Sequence, residues 1–149
     1  RTTNFETQKI SRLSRHSFKA SRRRAWQIAG NLPASFRYAM QGLSYALLSQ
    51  RNFRIHVLIG LVTLFLGVWL QLSLNHLSVL VLTITAVLVL ELLNTAIEAV
   101  VDLAIGRHFH PLAKIAKDCA AGAVLVAAIS SLVIAVLLLL PPFLVRMGL

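Results

Sequence analysis

The sequence predicts an all-α membrane protein: an N-terminal amphipathic surface helix followed by three transmembrane helices. Three observations carry this. Hydrophobic residues make up 57% of the 149-residue chain and charged residues only 13%, a balance outside that of ordinary soluble domains. The apolar residues gather in three runs, each long enough to cross a hydrocarbon core of about 30 Å. The segments between those runs differ in charge, one lacking Lys and Arg and the other rich in them, as the positive-inside rule requires of opposite sides of a membrane.

Residues 1–32 are polar, basic and rich in Ser and Thr, with no clear apolar period, and are expected to form a flexible extension ahead of a membrane domain over residues 33–149. Fifteen Lys and Arg stand against five acids, a net charge of +10, and eleven of the fifteen lie at or before Arg54. Such a run is either a solvated tail or a strip drawn to anionic headgroups, where each basic residue gains about 1 kcal/mol. It lacks the interleaved aromatics and folded platform of a nucleic-acid binder, so no nucleic-acid partner is expected. Ser21-Arg22-Arg23-Arg24 stands too far from the first apolar run for a twin-arginine export signal. Cys119 is the only cysteine, which excludes an intrachain disulfide and a thiolate metal cluster within one chain.

Pro33 can open a helix, and Phe36, Ala39, Met40, Leu43, Ala46 and Leu47 then recur at helical spacing with Arg37, Gln41, Ser44 and Gln50 between them. This amphipathic helix, with Arg51 and Arg54 beyond its end, suits the cytoplasmic headgroup region, its apolar stripe facing acyl chains or the other helices. Residues 55–74 form the first span. Gln71-Leu72-Ser73-Leu74-Asn75-His76 carries no Lys or Arg and is expected as a tight outward-facing hairpin, with His76 in its solvated loop. The second span runs over 77–105. Gly106 is a stop signal and Pro111 opens the next helix across a cytoplasmic segment holding Arg107, His108, His110, Lys114 and Lys117. The third span is 119–140, closed by Pro141-Pro142. Its Ala120-Ala121-Gly122-Ala123 run lets another backbone approach closely.

Within the second span, Glu91, Asn94, Thr95, Glu98 and Asp102 interrupt the apolar sequence. With Glu91 at zero and about 100° per residue, the others fall near −60°, +40°, −20° and +20°, so all five share one face. Polar groups at membrane depth are costly, and this stripe must look into protein or a wet cleft. Glu91 lies about 21 Å along the span from Leu77, and so about 9 Å short of its inner edge. Glu98 falls at the interface and Asp102 beyond it.

A carboxylate such as Glu91 in partly apolar surroundings is a candidate general base for a hydroxyl presented at the membrane surface, or else a buried Glu bonded to a neighbouring helix. Glu98 suits Mg2+, which takes one or two carboxylates and shares its other positions with water and phosphate oxygens. The bland alternative is an interface charge paired with Lys114 or Lys117. Lys117, Asp118 and His110 stand where a nucleotide would arrive from the cytosol, although no glycine-rich phosphate loop is present. Three spans offer too little wall for a pathway in one chain, so a small homo-oligomer is expected.

Glu91-Leu92-Leu93-Asn94-Thr95-Ala96-Ile97-Glu98-Ala99-Val100-Val101-Asp102, followed by His110-Pro111-Leu112-Ala113-Lys114-Ile115-Ala116-Lys117-Asp118, strongly resembles the small integral-membrane prokaryotic diacylglycerol kinase family, which includes the undecaprenol kinases. Phe36-Arg37-Tyr38-Ala39 with Gly42, and Arg51-Asn52-Phe53-Arg54-Ile55-His56, are similar to that family's surface helix and its entry to the first span. The resemblance covers about residues 36–140. It implies a homotrimer with composite sites near the cytoplasmic face of a bacterial plasma (inner) membrane, the N-terminus also cytoplasmic, and transfer of the ATP γ-phosphoryl group to a membrane lipid alcohol, diacylglycerol or undecaprenol. It further implies Glu91 as catalytic base, Asn94 as organiser of the site, Glu98 as a ligand to Mg2+, and Tyr38, His110, Lys117 and Asp118 as ATP contacts. At one position the chain departs from the family's pattern. The glutamate that usually precedes the Arg-Asn pair as a second metal ligand is Gln50 here, a neutral group that holds a divalent cation less strongly. The Ala-Ala-Gly-Ala run after Cys119 is more similar to the undecaprenol-kinase branch. Outside the kinase class, the acidic stripe also fits a proton- or cation-coupled transport subunit or a noncatalytic membrane scaffold. A transporter, however, would place ionisable groups nearer the midplane and in several spans.

Overall fold

The computed structural model describes residues 32–106 and 108–148, all of them in helices or the short turns between helices. The helices are α1 (Leu32–Ser49), α2 (Arg51–Trp69), α3 (Leu74–Ile105) and α4 (Pro111–Met147). The last three are long and apolar enough to cross a membrane. The expected basic extension over residues 1–32 lies outside the described residues except for Leu32. The chain divides into two compact units, Arg1–Leu43 and Ser44–Leu149. In the first, the Arg37 guanidinium lies 5.5 Å from the centre of the Tyr38 ring.

In the second unit α3 is the hub. It packs along α4 and against α2, while α2 and α4 scarcely touch and leave between them an apolar groove of about 350 Å³ lined by Thr63, Leu66, Leu132, Ala135, Leu139 and Phe143. The α2–α3 seam is tight because glycines lie on it. A Cβ on Gly60 would sit 2.7 Å from Ile84 Cγ2, and one on Gly67 3.0 Å from Leu77 Cδ2. Gly60 and Gly67 on α2 thus face Ile84, Leu77 and Leu80 of α3. Small residues at such seams let backbones approach where lipid supplies no hydrophobic drive for helix association.

Each helix end has a local cause. Gln50 leaves helical geometry (φ −99°, ψ 110°) between α1 and α2, so the Arg51-Asn52-Phe53-Arg54 segment is the first turn of α2, with Phe53 buried. The first membrane helix therefore starts earlier than residue 55. It also stops earlier than residue 74, because Gln71 adopts a left-handed conformation (φ +58°). Leu72 N–H there returns to the Gly67 carbonyl at 3.0 Å and Gln71 N–H to that of Val68 at 3.0 Å, the paired bonds of a Schellman turn. Ser73 then caps α3, its hydroxyl accepting from the His76 backbone at 3.4 Å. His76 is thus in the first turn of a helix, and the hairpin is shorter than its composition suggests.

Gly106 ends α3 as expected, with φ +58° and ψ −123°, a conformation reserved in practice for glycine. Pro111 opens α4 as expected, behind a His110 cap. The far end of α4 differs from expectation, since the helix passes through Pro141-Pro142 and ends only at Gly148. Proline in a helix interior forfeits a backbone bond, but the last turns are anchored from outside. Arg146 stacks 4.5 Å over the Trp69 ring and donates to the Trp69 carbonyl at 3.2 Å.

Candidate active site

The polar stripe of α3 survives folding as three successive groups. The first is deepest from the Gly106 end. Glu91 is buried, and its Oε1 lies 3.3 Å from His56 Nε2 on α2, with side-chain exposures of 5% for the glutamate and 25% for the histidine. A buried carboxylate without a partner would be strongly disfavoured, and His56 supplies that partner from another helix. Thr95 satisfies its own hydroxyl by donating to the Glu91 carbonyl at 3.0 Å.

The second group lies further along the axis, Asn94 about 5 Å and Glu98 about 10 Å beyond Glu91. Asn94 Nδ2 donates to Glu98 Oε1 at 3.1 Å, one helical turn apart. That bond orients the amide, and Asn94 Oδ1 is left buried with no hydrogen-bond partner among the described residues. Orphaned buried acceptors are uncommon in folded proteins. A carboxylate with a spare amide carbonyl beside it is a hard-oxygen donor set, which fits Mg2+. Gln50, the other expected ligand, is half-buried at the α1–α2 break, where its side-chain carbonyl is of the same donor class but uncharged. Among the described residues of one chain, no three His, Cys, Asp or Glu converge as a closed metal site.

The third group is the crevice where α3 turns into α4. Ile105, His108, His110, Lys114, Lys117 and Asp118 line a cavity of about 240 Å³. Lys117 Nζ donates to Asp102 Oδ1 at 2.6 Å across the turn, and Lys114 Nζ to Asp118 Oδ2 at 2.7 Å along α4. His110 Nδ1 accepts from Leu112 N–H at 3.2 Å, so a neutral His110 carries its proton on Nε2. The pairs hold the lysines at the mouth of the crevice without sealing them, since an ammonium has three donors. Both are exposed, and exposed pairs contribute only about 0–1 kcal/mol.

Of the residues singled out in the sequence, the structure brings His110, Lys117 and Asp118 together around one crevice and joins Asn94 to Glu98. It sets Glu91 apart with His56, and Tyr38 belongs to the first unit. His56 has a larger part than its sequence suggested. Read there only as entry to an otherwise uncharged first span, it proves to be an ionisable group facing the glutamate of the second. Its signal was present, as an imidazole five residues inside the start of an apolar helix.

The model of the prokaryotic diacylglycerol kinase family matches residues 37–139. The chain is similar to a diacylglycerol kinase of Synechocystis sp., 55% identical over 126 residues that cover 85% of this chain and 72% of the relative. It is similar to an undecaprenol kinase of Bacillus subtilis, 44% identical over 107 residues, covering 72% and 86%. It is similar also to a diacylglycerol kinase of Escherichia coli, 34% identical over 96 residues, covering 64% and 78%.

Proposed function

Because the chain belongs to the prokaryotic diacylglycerol kinase family and is a lipid kinase of that family, we propose that it transfers the γ-phosphoryl group of ATP to the hydroxyl of diacylglycerol, giving phosphatidic acid, in an Mg2+-dependent reaction. The observation that carries this reading is the order of groups towards the Gly106 end of α3: a buried carboxylate, then a hard-oxygen pair, then the basic crevice where α3 turns into α4. A lipid hydroxyl comes from the membrane and a nucleotide from water, and the three groups follow that gradient.

The roles follow from the positions. The lipid oxygen attacks the γ-phosphorus, its O–H proton passes to Glu91, and the bond from phosphorus to the bridging oxygen breaks as ADP leaves. Glu98, Asn94 Oδ1 and Gln50 would hold Mg2+, which when bound neutralises charge on the phosphate oxygens. Lys117 and Lys114 present donors to the phosphates, His110 offers Nε2–H, and Asp118 and Asp102 keep the ammonium groups in place. Phosphoryl transfer asks chiefly for positioning and charge neutralisation, which these groups supply. Glu91 and Asp102 are separated by about 16 Å along the helix, further than one phosphoryl group reaches. That separation supports sites completed by another copy, within a homotrimer of the bacterial inner membrane whose N-terminus and crevice face the cytoplasm.

The test is phosphorylation by purified protein in mixed micelles with Mg2+ and labelled ATP, offering diacylglycerol and undecaprenol in parallel. Labelled phosphatidic acid that disappears in Glu91→Gln is the expected result. Exclusive labelling of undecaprenol, the outcome favoured by Ala120-Ala121-Gly122-Ala123, would move the chain to the polyprenol branch. Silence with both lipids would overturn the kinase mechanism.

A further inference from the structure

The His56–Glu91 contact joins α2 to α3 at the one buried carboxylate among the described residues. Besides partnering a buried carboxylate, the contact distinguishes between its two oxygens. Oε1 is engaged at 3.3 Å. Resting on the reading of Glu91 as base, we propose that His56 is its positioning residue: Nε2–H holds Oε1 and so leaves Oε2 as the atom that receives the lipid hydroxyl proton. In that step the lipid O–H bond breaks, the O–P bond forms, and the proton stays on Oε2 as ADP departs.

Other ionisable groups near this pair are few. On α2 they are Arg51 and Arg54, both exposed, and none follows His56 before the helix ends. On α3 the flanking ones are His76 and Glu98. α4 carries none between Cys119 and Arg146, and Tyr45 on α1 is exposed. Among the described residues, His56 is therefore the ionisable side chain that the fold places against the Glu91 carboxylate.

The experiment compares His56→Ala, His56→Gln and Glu91→Gln in full-length protein in mixed micelles, with kcat and both KM values measured. Misplacing a reacting group by an ångström can cost about a hundredfold, so His56→Ala is expected to lower kcat about ten- to hundredfold, with the KM values for ATP and lipid within about twofold of wild type. His56→Gln, which keeps a donor near the Nε2 position, is expected to recover most of the loss. A kcat for His56→Ala within about twofold of wild type would overturn the proposal, as would equal losses in Ala and Gln with raised KM values. An active Glu91→Gln would remove the base reading itself, whereas an inactive Glu91→Gln beside an unaffected His56→Ala would remove only the role of His56.

Discussion

Lys117 Nζ lies 2.6 Å from Asp102 Oδ1, joining the first turns of α4 to the last turn of α3 across the Gly106 turn. The two side chains are 37% and 60% exposed, so the pair is a weak fastener, worth no more than about 1 kcal/mol. Its value lies in where it holds the ammonium group. Asp102→Asn is accordingly expected to leave the thermal midpoint within a few degrees and to raise KM for ATP severalfold. Lys117→Met removes the donor itself. Charge-assisted bonds are worth about 1.5–3 kcal/mol, so KM for ATP should rise at least tenfold. Steady-state kinetics beside a thermal melt separates the two effects, and equal loss of stability and ATP affinity in Asp102→Asn would contradict this division.

Asn94 Oδ1 is buried and unpartnered among the described residues, and its proposed use as a cation ligand makes a specific prediction. Asn94→Ala should raise the Mg2+ concentration for half-maximal activity by about an order of magnitude, the scale on which lost ligand-orienting contacts weaken metal sites. Because Asn94 also donates to Glu98, Glu98→Gln should shift the same parameter in the same direction, and the double variant should lose less than the product of the two. A Mg2+ titration at saturating ATP and lipid measures all three.

Gln50→Glu would place a carboxylate at the proposed ligand position at the break between α1 and α2. It should lower the half-maximal Mg2+ concentration severalfold, because carboxylates bind hard cations more strongly than amides do. An unchanged Mg2+ requirement would remove position 50 from the metal site.

The Gly60–Ile84 contact predicts a stability effect independent of chemistry. Gly60→Ala places a Cβ 2.7 Å from Ile84 Cγ2, a branched atom close to its own backbone, whereas Gly67→Ala meets the ends of flexible leucines at 3.0 and 3.3 Å. Overpacking typically costs about 1–3 kcal/mol, so Gly60→Ala should fall in that range and Gly67→Ala well below it. Ile84→Leu, which removes the offending methyl, should rescue Gly60→Ala in a detergent melt.

Much of this architecture is legible along the chain because its causes are local. Gly106 and Pro111 mark the ends of the helices they adjoin, and the spacing of Glu91, Asn94, Glu98 and Asp102 determines a shared face whatever packs against it. Elements settled by contact between helices are not legible in the same way. The continuation of α4 through Pro141-Pro142 goes with Arg146 reaching Trp69, 77 residues away. The approach of His56 to Glu91 depends on which side of α2 meets α3, which periodicity within either helix does not specify. Asn94 Oδ1 became notable only once its Nδ2 was seen to be engaged.

α3 runs unbroken from Leu74 to Ile105, and its Gly106 stop lies beyond the last member of the stripe. Glu91, Asn94, Glu98 and Asp102 are therefore mounted on one continuous helix, with no break among them. Their mutual spacing is set by the geometry of that helix. The same geometry makes the spacing intolerant of changes in length. One residue inserted between Glu91 and Glu98 would advance everything beyond it by about 1.5 Å but swing it about 100° around the axis, carrying Glu98 and Asp102 to a different side of the helix from Glu91. Substitutions can tune this stripe one residue at a time, whereas a single-residue insertion within it dismantles the arrangement at once.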